Sequence, residues 1–431
     1  MRSVHIHSKR GFLILTGLLL FFSLFEGATL GQVEDPREVI DFTGEMLGRE
    51  PLNQYGTLER TIQLMRSYRP LDLNAESWRK ANPDKTHSEW SKLARHCVAT
   101  GLHYQPGPLD LRAETLARME TEDFVRETIE FNTTPWFRVP GYFYIPKNVP
   151  LPAPGLVVLH EWGGPMLFGA DRVSGEPVHE AVVQHRAKTT SGRALADWYA
   201  SNGYAVIVID AYHFGRRAPR GLDGLPDSYD PAQLDQETLD RYDAIVRENL
   251  YLGVRQLNWA GTTWAGVNYF DDSRCVDFLL SRKEVDGSRI GVTGLSGGGW
   301  RTNMMAALEP RIKAAVSVGW MTTGDTQQLY NIRGAIGTFC LLPGVWNRLD
   351  IPDLISMAAP KACMVVSPSE DRLFPPLGQK EAARQIAAAY EWAGHPEKFR
   401  SFMPPKPHCY DSEIQEEALR WLDSHLEKPQ N

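Results

Sequence analysis

Residues 290–299 read Ile-Gly-Val-Thr-Gly-Leu-Ser-Gly-Gly-Gly. The apolar run Ile290–Thr293 predicts a short strand, and a helix is expected from Gly298 to Leu308. Between them lies G-x-S-x-G, Gly294–Gly298. Strand, sharp turn and helix are the setting in which this motif lifts a serine hydroxyl above the end of a sheet. The glycines follow from sterics, because side chains flanking Ser296 would collide with the strand or the helix. The helix N-terminus favours negative charge developing beside it. Gly-rich strand–helix turns also bind phosphate, but a Walker loop needs Gly-Lys-Ser/Thr and no lysine is present. A Rossmann fingerprint belongs to the first strand of its sheet, and this strand comes late.

A serine hydroxyl becomes a nucleophile when a base takes its proton. Around an elbow of this kind the partners follow in the order Ser, acid, His. Ala362–Ser367 predicts a buried strand, and the loop after it offers Glu370 and Asp371. Asp371 is preferred because the turn Phe374-Pro375-Pro376 lies just beyond it, with Glu370 as the alternative. The last predicted strand, Phe399–Met403, runs into Pro404-Pro405-Lys406-Pro407-His408-Cys409 ahead of a C-terminal helix. His408 is the base candidate; only His425 lies further on, within that amphipathic helix.

A tetrahedral intermediate needs N–H donors for its oxyanion. Gly297, directly after the serine, supplies one. The loop His160-Glu161-Trp162-Gly163-Gly164 follows an earlier strand, Gly155–His160, and resembles H-G-x-G with Glu161 in place of the first glycine. It points to the Trp162 N–H as the second donor. His160-Glu161 does not extend to H-E-x-x-H, because position 164 is Gly, and His179 and His185 stand about 240° apart round a helix. Metal catalysis is therefore discounted and no metal or organic cofactor is expected.

The rest of the chain fits the same plan. Phe124–Phe131 and Trp136–Ile145 alternate like antiparallel strands. Strands are expected at Tyr204–Asp210 and Ala314–Val318, and helices near Arg193–Ser201, Glu237–Leu257, Trp264–Ser281, Lys380–Ala393 and Ser412–Leu426. Strands and helices alternate, so the fold class is α/β, a mostly parallel doubly wound sheet with antiparallel lead-in strands. Residues 32–120 read as a helical N-terminal preamble, with apolar spacing in Val39–Leu47, Leu58–Tyr68 and His87–Ala99. Residues 211–236 and 320–360 interrupt the alternation after strands whose carboxyl ends face the elbow. Loops of that length are uncommon unless functional. They are expected to wall a pocket above Ser296 with Tyr212, His213 and Trp320. Trp259, Trp264 and Trp346 occur in segments that should rim the site, with core packing the plainer reading for most. Arg216 is read as a ligand for a substrate oxygen or as half of a structural ion pair.

The 431 residues carry 23% charged and 42% hydrophobic side chains, which excludes a disordered or collagen-like chain. Lys and Arg total 46 against 53 Asp and Glu, so there is no basic surplus for a nucleic-acid partner. Five cysteines are too few for a disulfide scaffold, and an odd number leaves at least one unpaired within the chain. At the N-terminus Arg2, Lys9 and Arg10 precede the apolar run Gly11–Phe25 and the small residues of Gly27–Gly31. That order describes a secretory signal peptide over residues 1–31, with an uncleaved membrane anchor as the alternative. The body of the protein, a preamble over 32–120 and a catalytic domain over 121–431, is expected to be exported, without stable membrane insertion once the signal is cleaved.

Residues 120–428 resemble the α/β-hydrolase superfamily, and within it the dienelactone hydrolase and acetyl xylan esterase-like branch. The stretches that carry the resemblance are Val139–Pro146, Val206–Asp210 through Gly215-Arg216, Asp271–Arg274 and Val285–Gly291. The resemblance implies a Ser296–His408–Asp371 triad. A serine nucleophile fits the cysteine-based dienelactone hydrolases less well. The expected function is cleavage of carboxylic esters through an acyl-serine, on a small-molecule or carbohydrate ester. A serine peptidase of the same fold, and a catalytically silent hydrolase-like binding protein, are the alternatives.

Overall fold

The computed structural model describes residues 71–107, 109–331, 337 and 340–426. The predicted signal peptide and the helices expected at Val39–Leu47 and Leu58–Tyr68 lie outside the described residues. Two helices open the described chain, α1 (Ala75–Ala81) and α2 (His87–Gly101). Thr86 and Glu89 cap α2 reciprocally, each side chain bonding the other's backbone N–H, which satisfies two orphan donors of the first turn. Trp90 is fully buried and donates its indole N–H to the Leu73 carbonyl at 2.7 Å. Arg95 Nε donates to Ala307 O at 3.0 Å and His87 Nε2 stands 2.9 Å from Ser356 O, so the preamble packs on the body of the protein.

Three antiparallel strands follow: β1 (Glu114–Glu120), β2 (Phe124–Thr134) and β3 (Phe137–Pro146). β1 is thus a sheet strand lying before the boundary at 121 drawn from the sequence. All its residues are exposed, so it carries no apolar alternation by which it could be read. Then come β4 (Ala153–Leu159), α3 (Glu180–Thr189), α4 (Leu195–Ser201) and β5 (Ala205–Ile209). α5 (Gln236–Trp259), α6 (Trp264–Leu280), β6 (Val285–Leu295), α7 (Gly297–Leu308) and β7 (Ile312–Val318) follow. The chain closes with α8 (Gly324–Asn331), α9 (Asp353–Ser356), β8 (Ala362–Val366), α10 (Pro376–Trp392), β9 (Phe399–Phe402) and α11 (Ser412–His425).

One nine-stranded sheet runs β1-β2-β3-β5-β4-β6-β7-β8-β9. Pairings up to β3–β5 are antiparallel and those from β5 onward are parallel. The parallel strands are apolar runs buried on both faces, as strands covered by helices on each side must be. Alternation sorts their side chains. Val157, Ile207, Val292 and Cys363 join the core under α5, α6, α7 and α10. Leu156, Val158, Val206, Val316 and Met364 join the core under α4 and α11. This is the α/β-hydrolase architecture, with the carboxyl ends of β4, β6, β7 and β8 along one rim.

All five cysteines are buried and unpaired. Among the described residues no helix is long and apolar enough to cross a membrane.

Candidate active site

β6 lies between β4 and β7, and its carboxyl end runs directly into Ser296. The serine has φ 56° and ψ −117°, a region non-glycine residues rarely occupy and which costs on the order of 1–3 kcal/mol. The strain is held from both sides: Ser296 N–H donates to Val318 O at 2.8 Å, and Trp300 N–H donates to Ser296 O at 2.9 Å. Two glycines are required by close approach. A Cβ on Gly298 would stand 2.0 Å from the Leu159 carbonyl oxygen. A Cβ on Gly297 would stand 2.2 Å from the Trp162 indole. Gly297 opens α7, where the first N–H groups have no partner within the helix. The same contact places Gly297 beside the 160–164 loop.

The loops after β8 and β9 are sewn together. Ser369 N–H donates to Pro404 O at 2.9 Å and Glu370 N–H to Lys406 O at 3.0 Å. This brings Asp371 to His408: Nδ1 of the imidazole stands 2.5 Å from Asp371 Oδ2. The Asp371 side chain is fully buried and its Oδ1 accepts the Leu373 N–H at 2.8 Å, whereas Glu370 is exposed. Gly319 follows β7 with φ 63°, and a Cβ there would stand 3.1 Å from His408 Cε1. The imidazole and the serine thus flank one strand end, Val318–Gly319. No hydrogen bond in the structure joins His408 to the Ser296 hydroxyl; such bonds commonly tighten only when substrate is bound.

Ser296 opens into a cavity of about 210 Å³. Trp162, Met166, Phe214, Tyr251, Trp320 and Phe374 form much of its wall, with Arg247 its charged member. At the ~30 Å³ share of one water, this holds the equivalent of about seven waters, the scale of an acyl group or one small ring. Trp320 lines the cavity. Tyr212 and His213 do not line it, and the sequence expectation for them is corrected. His213 has φ 82°, and its Nε2 lies 3.0 Å from the Val246 carbonyl, turned into the core. The Tyr212 ring packs on Phe137 at 5.6 Å and under Arg217 at 5.4 Å. Arg216 forms the structural ion pair, Nε to Asp210 Oδ2 at 2.9 Å. Of the other tryptophans, Trp264 is buried edge-on against Trp162, Trp346 packs on Trp300, and Trp259 is 95% exposed. The sequence reading missed Arg247, Leu250 and Tyr251 of α5. They recur at helical i, i+3, i+4 spacing, the signal that marks one face.

The 160–164 loop is held by buried charge. Glu161 pairs with Arg172 at 3.7 Å and with His185. Burial pushes the Glu161 carboxyl up, but Arg172 and His185 outweigh it and hold it well below the usual carboxylate range. His160 is fully buried, and burial with Arg172 and Arg301 nearby keeps its ring neutral. Its Nε2 accepts the Ala211 N–H at 3.0 Å, and its Nδ1 stands 2.9 Å from the Glu161 carbonyl and 2.8 Å from Arg172 Nη2. Among the described residues no group of three or more His, Cys, Asp or Glu side chains is placed to hold a metal. Arg301, five residues after the nucleophile candidate, forms a two-pronged buried pair with Asp272 at 2.5 and 2.8 Å and donates to His160 O at 3.3 Å. Asp272→Ala should therefore cost about 3–5 kcal/mol, because it strands the buried guanidinium. Urea unfolding measures this, and a loss below about 1 kcal/mol contradicts it.

The Bacillus subtilis (strain 168) protein described as "Putative hydrolase YtaP" is 27% identical over 323 residues, 74% of this chain and 95% of that protein. A structure titled as a "putative acetyl xylan esterase" from Bacteroides fragilis NCTC 9343 is 18% identical with a TM-score of 0.57, covering 80% of this chain and 81% of that one. A glucuronoyl esterase from Solibacter usitatus is 16% identical with a TM-score of 0.57, covering 83% of this chain and 98% of that one. At these identities the two structures attest the shared fold. The profile of the Abhydrolase family matches residues 52–428, most of the sequence, and the chain belongs to that family.

Proposed function

We propose that this protein is an exported serine hydrolase that cleaves carboxylic esters, acting on esterified carbohydrate of the acetyl xylan type. The observation that carries the reading is the meeting of a strained, glycine-flanked Ser296 with the His408–Asp371 pair at one strand end, beside an aromatic cavity. Ser296 Oγ attacks the ester carbonyl carbon while His408 Nε2 takes its proton. Asp371 holds Nδ1–H and so fixes the tautomer. The carbonyl oxygen becomes an oxyanion that accepts from the N–H groups of Gly297 and Trp162. Collapse breaks the bond to the alcohol oxygen, which leaves with the proton from His408. Water, deprotonated by the same imidazole, then releases the acid and restores the serine. The names of similar proteins, an acetyl xylan esterase and a glucuronoyl esterase, support an ester on a sugar, and a 210 Å³ cavity suits its acyl part. The basic and apolar N-terminal segment supports export.

Rates on acetylated xylo-oligosaccharides, a glucuronate methyl ester and p-nitrophenyl acetate, set against an aminoacyl p-nitroanilide, test this reading. The esters should turn over and the anilide should not. Turnover of the anilide alone would assign a peptidase, and turnover of none, with no fluorophosphonate labelling, a binding protein.

A further inference from the structure

The loop after β4 is gripped through its carbonyl oxygens. Arg172 donates to the Glu161 carbonyl at 2.5 Å and to the Gly163 carbonyl, and its Nη2 also stands 2.8 Å from His160 Nδ1. Arg247 on α5 donates to Gly164 O at 2.7 Å, and Gly215 N–H donates to Met166 O at 2.9 Å. From the other direction Asp243, also on α5, accepts the N–H groups of Met166 and Leu167. A trans peptide points its N–H opposite to its C=O. The peptide joining Glu161 to Trp162 is trans; the cis bonds among the described residues precede Pro152 and Pro360. Holding the Glu161 carbonyl on Arg172 therefore fixes the direction of the Trp162 N–H, on a residue that lines the Ser296 cavity and touches Gly297.

We propose that Arg172 is a positioning residue for the oxyanion donor, and that Glu161 stands in place of the loop's glycine to keep that buried guanidinium compensated. Arg172 and Glu161 are both buried, their side chains 0% and 4% exposed, and neither charge would hold its place without the other. Only a planar fork reaches two carbonyls and a carboxylate at once; a lysine ammonium is a single point of charge. The proposal rests on the acyl-serine reading above and adds a residue that never touches substrate.

Arg172→Lys keeps the charge and breaks the fork. With p-nitrophenyl acetate it should lower kcat about ten- to a hundredfold at unchanged KM, less than or equal to removal of one oxyanion donor. A thionoester distinguishes this from general damage, since its C=S sulfur is a poor acceptor and gains little from the donors. The ester-to-thionoester rate ratio should therefore fall in the variant. If Arg172→Lys does not fold, Glu161→Gln with Arg172→Met removes both buried charges at similar volume and must show the same fall in ratio. Wild-type kcat, or a lowered kcat with an unchanged ratio, in whichever variant folds, overturns the positioning role. Activity surviving in Ser296→Ala overturns the acyl-serine reading itself. An inactive Ser296→Ala beside a folded Arg172 variant with a wild-type ratio overturns the Arg172 proposal alone.

Discussion

Ser296→Ala is expected to lose about six powers of ten in kcat on p-nitrophenyl acetate, the scale of loss when a triad nucleophile is removed. The alanine has no oxygen to form the acyl bond, and no other hydroxyl stands at the strained turn between β6 and α7. Labelling by a fluorophosphonate should vanish with activity, because that reagent needs the same activated oxygen. Thermal unfolding should be nearly unchanged: alanine and serine are equally strained at φ 56°, and the serine side chain makes no cap to α7. Turnover above a few per cent of wild type would mean that another group does the chemistry.

Asp371→Asn should lower kcat by about four powers of ten. The argument turns on which atom faces His408. Leu373 N–H donates to Oδ1 and needs an acceptor there. In asparagine the only acceptor is the amide oxygen, so the NH₂ group must turn toward His408 Nδ1. That nitrogen would then accept, its proton would move to Nε2, and the imidazole could no longer take the serine proton. Glu370→Gln, at an exposed position, should change kcat little. Parallel steady-state kinetics on both variants check this, and the reverse ranking would transfer the acid's role to Glu370.

The elbow was legible because sterics leave a direct mark on sequence. Where Leu159 O and the Trp162 ring would stand 2.0 and 2.2 Å from a would-be side chain, only glycine fits, and the letters show it. The parallel strands were legible for a similar reason, since burial on both faces leaves unbroken apolar runs. β1 and α3 were not, because neither buries a regular face: β1 is exposed throughout, and α3 buries only Val182 and Arg186. The cavity wall was read in part. Trp320 follows β7 directly, so strand direction carries it to the rim. Tyr212 and His213 also follow a strand, but the left-handed turn at His213 sends its ring to the Val246 carbonyl. Glu161 looked like a departure from a loop pattern. Its reason is a guanidinium eleven residues downstream, a relation that sequence spacing does not encode.

The exposed outermost strand has a consequence for how the protein loosens. β1 buries no side chain, and beyond its ladder to β2 the described residues hold it by solvent-exposed contacts, among them Arg138–Glu114 and Lys147–Glu120. Elements with few buried contacts open first, at free energies well below that of global unfolding. Glu114, Arg118 and Glu120 line that strand, and charge on an edge discourages another chain from pairing with it. β2, β3, β5 and β4 lie between it and β6. The margin of the sheet can therefore breathe, or be clipped, while the turn that bears Ser296 stays clamped at the centre.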